Sequence, residues 1–305
     1  MQITAIVSFV ILGTLVVVAL AALRSFHSIG PAEVGLVNKR LGKKLLDDQL
    51  IALNGEAGYQ ADLLMPGLRF KLWPLFQVKP YPWVQVAPDH IGLVIAQVGE
   101  AVPTGAKSAV YKDVFGSFSD LRGFLAQGGQ RGVQRPVLPP GTTAPIYPVG
   151  FVVITSDQVF GKALSNSTLA AVGQVEPQAL WVTHITPQGD TDVVGVVTTL
   201  EGPPSGDIAS RIGGFSDVTD MEAAGTGSAV QIIQAVLRAK NVFHDNYQNY
   251  QAFLDAGGSI GLQHDPLLYG SYLLNPFLVK VELREMLVVR QGEVAVIKSY
   301  VGLPT

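Results

Sequence analysis

The sequence predicts an α+β, β-rich fold: an N-terminal transmembrane helix followed by tandem small β-rich repeat units with short helices. Three observations predict it. Residues Gln2 to Leu23 carry no charge and are almost all aliphatic. Downstream, the pattern Gly-x-x-Gly-x-Gln-x-x-x-Leu-x-x-Gly occurs three times. Ahead of each copy lies a short apolar run that carries a glycine, as opening strands do when they begin a repeated unit.

The apolar N-terminus, at 1.5 Å rise per residue, reaches about 33 Å, close to a bilayer core. No Lys or Arg precedes it, which distinguishes it from a cleaved signal peptide. Arg24, Lys39, Arg40, Lys43 and Lys44 follow it. The positive-inside rule then places the bulk of the chain in the cytoplasm as a single-pass membrane protein.

The repeats give the domain plan. Residues 1–24 form the anchor, 25–87 the first unit, 88–184 the second and 185–285 the third. Residues 286–305 open a fourth, truncated unit, from which a longer natural polypeptide is expected. The first motif copy is Gly55, Gly58, Gln60, Leu64 and Gly67. The second is Gly129, Gly132, Gln134, Leu138 and Gly141. The third is Gly258, Gly261, Gln263, Leu267 and Gly270. The opening runs are Val34–Val37, Ile91–Val94 and Val194–Val197, with glycine at Gly35, Gly92 and Gly195. A fourth run, Val294–Ile297, has alanine there.

The recurrent glycines suit turn and bulge positions, and the recurrent Gln amide suits backbone groups that such turns leave unpaired. Leu68, Phe70 and Leu72 alternate with Arg69 and Lys71, as in a strand after the Met65-Pro66-Gly67 turn. Tyr147-Pro148 and Asn275-Pro276 occupy the place of Trp73-Pro74 in the later units. Helical spacing predicts a helix over Phe118–Gln127, capped at Ser117 or Ser119. A matching helix carries Tyr247, Tyr250, Phe253 and Leu254, capped at Asp245 or Asn246. Ala229–Ala239 gives the clearest helical pattern, inside an insertion of the third unit.

Composition narrows the function. Charged residues make up 15% and the formal net charge is -3, against the clustered basic charge of a nucleic-acid binder. With no cysteine, neither a disulfide framework nor a thiolate metal site is available. The double glycines at 128–129 and 257–258 lack the Lys-Ser/Thr of a phosphate loop and follow a helix instead of preceding one. The five histidines show no metalloprotease spacing, although His244 and His264 could meet beside Asp245 or Asp265. No catalytic, cofactor-binding or metal-ligating residue is assigned; the motif residues are structural.

Ile29–Val37, Leu64–Pro74 and Gly292–Ile297 resemble the opening strands of SPFH/band 7 proteins, the stomatin, prohibitin and flotillin relatives. Tyr247 through Glu282 resembles the repeat region of a long bacterial flotillin-like subgroup, and the tandem units resemble the β-rich repeats of the major vault protein. The resemblance implies a membrane-anchored scaffold without enzymatic activity or cofactor. It would oligomerise laterally and organise membrane microdomains or membrane-protein complexes. Its partners would be the lipid bilayer, further copies of itself, and membrane proteases or other membrane proteins. The family's long coiled coil has no counterpart here, since no heptad run is sustained. Two other readings compete: an anchored hydrolase or protease-associated protein, and an exported β-repeat adhesin.

Overall fold

A computed structural model describes residues 2–46, 49–189, 191–203, 242–263 and 265–298, with backbone alone for 2–10 and 117. The predicted helix over Ala229–Ala239 and the histidine His264 lie outside the described residues. The described part is β-rich, with four α-helices.

The first helix, α1 (Gln2–Arg24), ends at its only charged residue. Its side chains are described from Ile11 onward. Among the described residues, no helix is long and apolar enough to cross a membrane. The transmembrane anchor and the single-pass membrane location are therefore corrected to an N-terminal helix. The side chains of Leu15, Val17, Leu20 and Leu23 on it are exposed.

Three units follow, each built on a central opening strand. In the first, β1 (Phe26–Ile29) precedes the opening strand β2 (Glu33–Lys39). Next come β3 (Ile51–Ala52), β4 (Gly58–Gln60), β5 (Gly67–Phe70) and β6 (Phe76–Pro82). The sheet order is β3-β4-β2-β6, and β1 pairs separately with β5. Pro80 and Pro82 lie on β6 at the sheet edge, where a missing N–H leaves no ladder bond unmade.

The second unit repeats this plan; as folded, its first strand and that of the third unit lie ahead of the sequence-based boundaries, so the second and third units begin near residues 83 and 180. It contains β7 (Val84–Gln85), β8 (Gly92–Ala96), β9 (Ser108–Ala109) and β10 (Gly132–Leu138). β11 (Thr143–Ala144), β12 (Phe151–Ile154) and β13 (Val159–Phe160) complete it, in the order β13-β12-β8-β10-β9, with β7 paired to β11. In the third, β14 (Thr183–Ile185) pairs with β17 (Gly270–Tyr272). There β15 (Val193–Thr199) lies between β16 (Gly261–Leu262) and β18 (Val279–Glu285). In every unit the opening strand has the motif strand on one side and the return strand on the other.

The short helices are later and shorter than periodicity suggests. A 3-10 turn occupies Asp113–Phe118, and Phe118 takes a left-handed φ of 63°. A helix cannot run through that conformation. It starts instead at α2 (Leu121–Ala126), where the Asp120 carboxylate accepts from Gly123 N at 3.0 Å. Asp245, Asn246 and Tyr247 are likewise left-handed. The third-unit helix is then Tyr250–Asp255, capped by Asn249, and α3 (Asn166–Gly173), capped by Ser165, lies between the two. We number the Tyr250–Asp255 helix α4. Both β5 faces are exposed, so Leu68 and Phe70 do not line a core. The expected fourth opening run, Val294–Ile297, forms no strand, and Val294, Val296 and Ile297 are exposed.

Apolar packing crosses unit boundaries. One core joins Leu36, Ile51 and Ala61 of the first unit to Val84, Val86 and the rings of Phe115, Phe124 and Phe151 of the second. Phe124 meets Phe115 and Phe151 edge-on, with centroids 4.9 and 5.0 Å apart. Another core joins Ile91, Leu93, Ile95 and Val133 of the second unit to Leu180, Val182, Leu273 and Phe277. A third lies within the last unit, around Leu267 and Phe253. Each fully buried side chain of this size contributes about 1.5–3 kcal/mol.

Candidate functional site

The repeated motif is one mechanical device, built three times. Its Leu is bridged to the glycine of the opening strand. Gly35 N donates to Leu64 O at 2.8 Å and Leu64 N returns a bond at 3.0 Å; both Gly195–Leu267 bonds are 2.8 Å. In the second unit Gly92 and Leu138 are paired directly. The opening glycine is required because side chains crowd its missing Cβ, three of them at Gly35 and Gly195 and two at Gly92. An atom there would stand 3.1 Å from Leu64 Cβ, 3.2 Å from Leu138 Cβ or 3.2 Å from Leu267 Cβ in the respective units. Ile29, Val86 and Ile185, from the segment before each opening run, press on the same point.

The Gln locks the turn that leads into the motif strand. Gln60 Nε2 donates to Glu56 O (2.8 Å) and Gly58 O (3.0 Å). Gln134 Nε2 donates to Gln130 O and Gly132 O, both at 3.0 Å. Gln263 Nε2 donates to Ser259 O (2.8 Å) and Gly261 O (2.9 Å). Such a turn needs a left-handed residue, and Gly58, Gly132 and Gly261 supply it at φ 122°, 119° and 114°. Gly67 and Gly141 turn the chain again at φ 113° and 73°, and Gly270 opens β17. The first motif glycine is not equivalent throughout. Gly129 and Gly258 lie under the rings of Phe124 and Phe253, whereas Gly55 has no such helix before it and adopts φ 82°.

Successive units are joined through this same turn. The residue four positions before each return strand bonds to it: Tyr147 O accepts from Phe151 N, and Asn275 O from Val279 N. Its side chain reaches back to the preceding unit. Tyr147 Oη donates to Gln60 O at 2.7 Å, and Asn275 Nδ2 donates to Gln134 O at 3.0 Å. Leu72 holds this position in the first unit, where Phe76 N donates to Leu72 O.

Sequence reasoning missed the polar joint between the second and third units. Glu201, just after β15, accepts from Ser108 Oγ, and Lys107 N also donates to it. Arg135 Nε donates to Ser108 Oγ at 3.0 Å; its Nη1 bonds Gln251 Oε1, and its Nη2 lies 3.7 Å from Glu201. Tyr250 Oη donates to Glu201 O at 2.6 Å. All three central residues are buried. Burial pulls the Arg135 guanidinium below its ordinary pKa, and the Glu201 charge pushes the other way. No local motif announces such a joint, because its members meet only after the units stack. The one sequence signal is an arginine interrupting an apolar strand at Val133–Leu138.

Chemically the joint is a lock. The Ser108 hydroxyl donates to a carboxylate, accepts from a guanidinium, and has no access to solvent. A cleft of about 310 Å³ beside it is lined by Tyr111, Arg135, Asn249, Tyr250 and Gln251. His244 Nδ1 accepts from Tyr247 N at 2.8 Å, and the ring lies tilted against that of Tyr247 with centroids 4.5 Å apart, so Nδ1 holds the left-handed segment before α4. Among the described residues no group of three His, Asp or Glu side chains is arranged to hold a metal ion. Asn166, Ser167 and Thr168 form the start of α3.

Compared with protein-family models, curated proteins and solved structures, the chain matches none.

Proposed function

We propose that the chain is a non-catalytic scaffold of the SPFH/band 7 kind that works by self-association. The reading carries no transmembrane span. One observation supports it above the others: apolar cores are shared across the boundaries between successive units. A repeat array of this type is stable through nearest-neighbour contacts, and such arrays present extended surfaces on which other chains can dock. The polar groups best placed for chemistry, Ser108, Glu201, Arg135 and His244, are engaged in holding units and turns together.

Crosslinking of the protein in cells at native abundance tests the reading. A ladder of multiples is expected. A protein that remains monomeric would leave the scaffold without a mechanism.

A further inference from the structure

The chain enters α4 through three consecutive left-handed residues, none of them glycine. Asp245, Asn246 and Tyr247 take φ of 47°, 52° and 66°. A Cβ disfavours this conformation, and a bulky ring such as that of Tyr247 is an outlier there. Strain of this kind persists only where surrounding groups hold it. Tyr247 N donates to His244 Nδ1 at 2.8 Å, Asn249 N to His244 O at 3.1 Å, and Gln248 N to Asp245 O at 3.0 Å. Tyr247 Oη donates to Asp265 O at 2.9 Å. Of these bonds, only the one to Nδ1 depends on a group that titrates near neutral pH.

The imidazole is placed so that a proton would break that bond. His244 is 6% exposed, and the rings of Tyr247 and Phe253 flank it at centroid distances of 4.5 and 5.4 Å. A ring nitrogen that accepts a backbone N–H carries no hydrogen, whereas both nitrogens of the imidazolium are donors. Protonated Nδ1 and Tyr247 N would therefore face each other as two donors. Among the described residues the charges that face the ring are Asp245 on its own segment and Asp265 between β16 and β17. Both favour the imidazolium, but burial outweighs them and keeps the ring neutral below the ordinary 6.5.

The segment leads straight into the joint between the second and third units. Gln248 Oε1 accepts from Leu273 N at 2.8 Å, and Leu273 packs on the core shared with the second unit. Gln251 Oε1 accepts from Tyr111 N at 3.1 Å and from Arg135 Nη1. Tyr250 Oη donates to Glu201 O at 2.6 Å. The position of α4 is thus handed to the joint by three side chains within four residues.

We propose that His244 is a pH-operated latch on this joint. Its neutral ring holds the left-handed segment and α4 in place. Its protonation lets the segment relax and frees Gln248, Tyr250 and Gln251 from their partners. The opened form binds the proton more tightly, so opening grows as pH falls through the released imidazole's 6.5 and levels off beneath the held ring's pKa. The latch is a property of a single chain and goes beyond self-association.

Hydrogen exchange of the full chain tests it, resolved to single amides and corrected for the intrinsic pH dependence of exchange. Between pH 7.5 and 5.5 the opening constants at Tyr247, Tyr111 and Leu273 are expected to rise together, by up to about tenfold. That limit is the gain in protonated imidazole available to an opened form with an ordinary pKa. Amides of β8 and β12 are expected not to follow. His244→Gln keeps a neutral acceptor and should abolish the rise, while His264→Gln should retain it; thermal melting at pH 7.5 checks that each variant folds. A wild type without the rise overturns the proposal. So does a rise at Tyr247 that does not reach Tyr111 and Leu273, or one shared equally by β8 and β12, which is unfolding of the whole chain. A rise that survives in folded His244→Gln also overturns it. Should a variant fail to fold, the wild-type profile decides alone.

Discussion

Gly195→Ala probes the device that recurs in every unit. The added Cβ would lie 2.6 Å from Ile185 Cδ1, 2.9 Å from Val281 Cγ1 and 3.2 Å from Leu267 Cβ. Carbon atoms prefer about 3.5–4.0 Å, so three neighbours must give way together. Overpacking of this kind costs about 1–3 kcal/mol. Gly195 lies in regular strand, so alanine also removes unfolded-state freedom and returns about 0.4–1 kcal/mol. The net expectation is a loss of about 1–2 kcal/mol, a fall in Tm of about 3–6 °C. Ile185→Val deletes the nearest methyl and alone costs about 0.5–1.5 kcal/mol. In the double variant the clash is relieved, so the combined loss should fall short of the sum by about 1 kcal/mol. Urea and thermal unfolding of the purified protein measure all three. A Gly195→Ala protein that melts with the wild type, or strict additivity with Ile185→Val, would refute the packing argument.

Gln134 is fully buried while Gln60 and Gln263 are half-buried. Gln134→Ala removes two hydrogen bonds and a fully buried side chain and should cost about 1–3 kcal/mol, more than Gln60→Ala, whose side chain is half-buried; urea midpoints compare them. His244 has its pKa lowered from the ordinary 6.5, by burial first, with Asp265 and Asp245 opposing. The unfolded chain then binds the proton more readily, so stability should fall as pH drops below about 6.5 and level off beneath the folded pKa. Melting followed from pH 7.5 to 5 reads the slope, and His244→Gln should flatten it. Arg135→Ala leaves the Glu201 charge buried and should cost about 3–5 kcal/mol, whereas Arg135→Met with Glu201→Leu should cost less; chemical denaturation of both decides.

The glycine–glutamine–leucine pattern was legible because it serves local geometry. A left-handed turn, its amide clasp and the strand bridge each fix a residue type at a fixed spacing, so they recur in sequence wherever they recur in space. Helix limits were less legible. Phe118 and Tyr247 have the right spacing for a helical face, but both are left-handed, and the helices begin only after their caps Asp120 and Asn249. The anchor reading counted apolar residues, whereas among the described residues no helix is long and apolar enough to cross a membrane. The Arg135–Glu201–Ser108 joint was invisible because distant segments build it, and nothing near any one of them marks its partner. The same holds for Tyr147 and Asn275, whose shared task is carried out with a phenol in one unit and an amide in the other.

Cores shared across boundaries grade the cooperativity of the molecule along its length. The second unit is clamped from both sides, by Leu36 and Ala61 before it and by Leu180 and Leu273 after it. Opening the third unit strips only one of those flanks, and the aromatic cluster around Phe124 keeps its packing. Amide hydrogens on β8 and β12 should therefore exchange with solvent last, while β5 and β18 fray first. The molecule is then fastened in the middle, and opening at either end is expected to stop at the second unit before it yields.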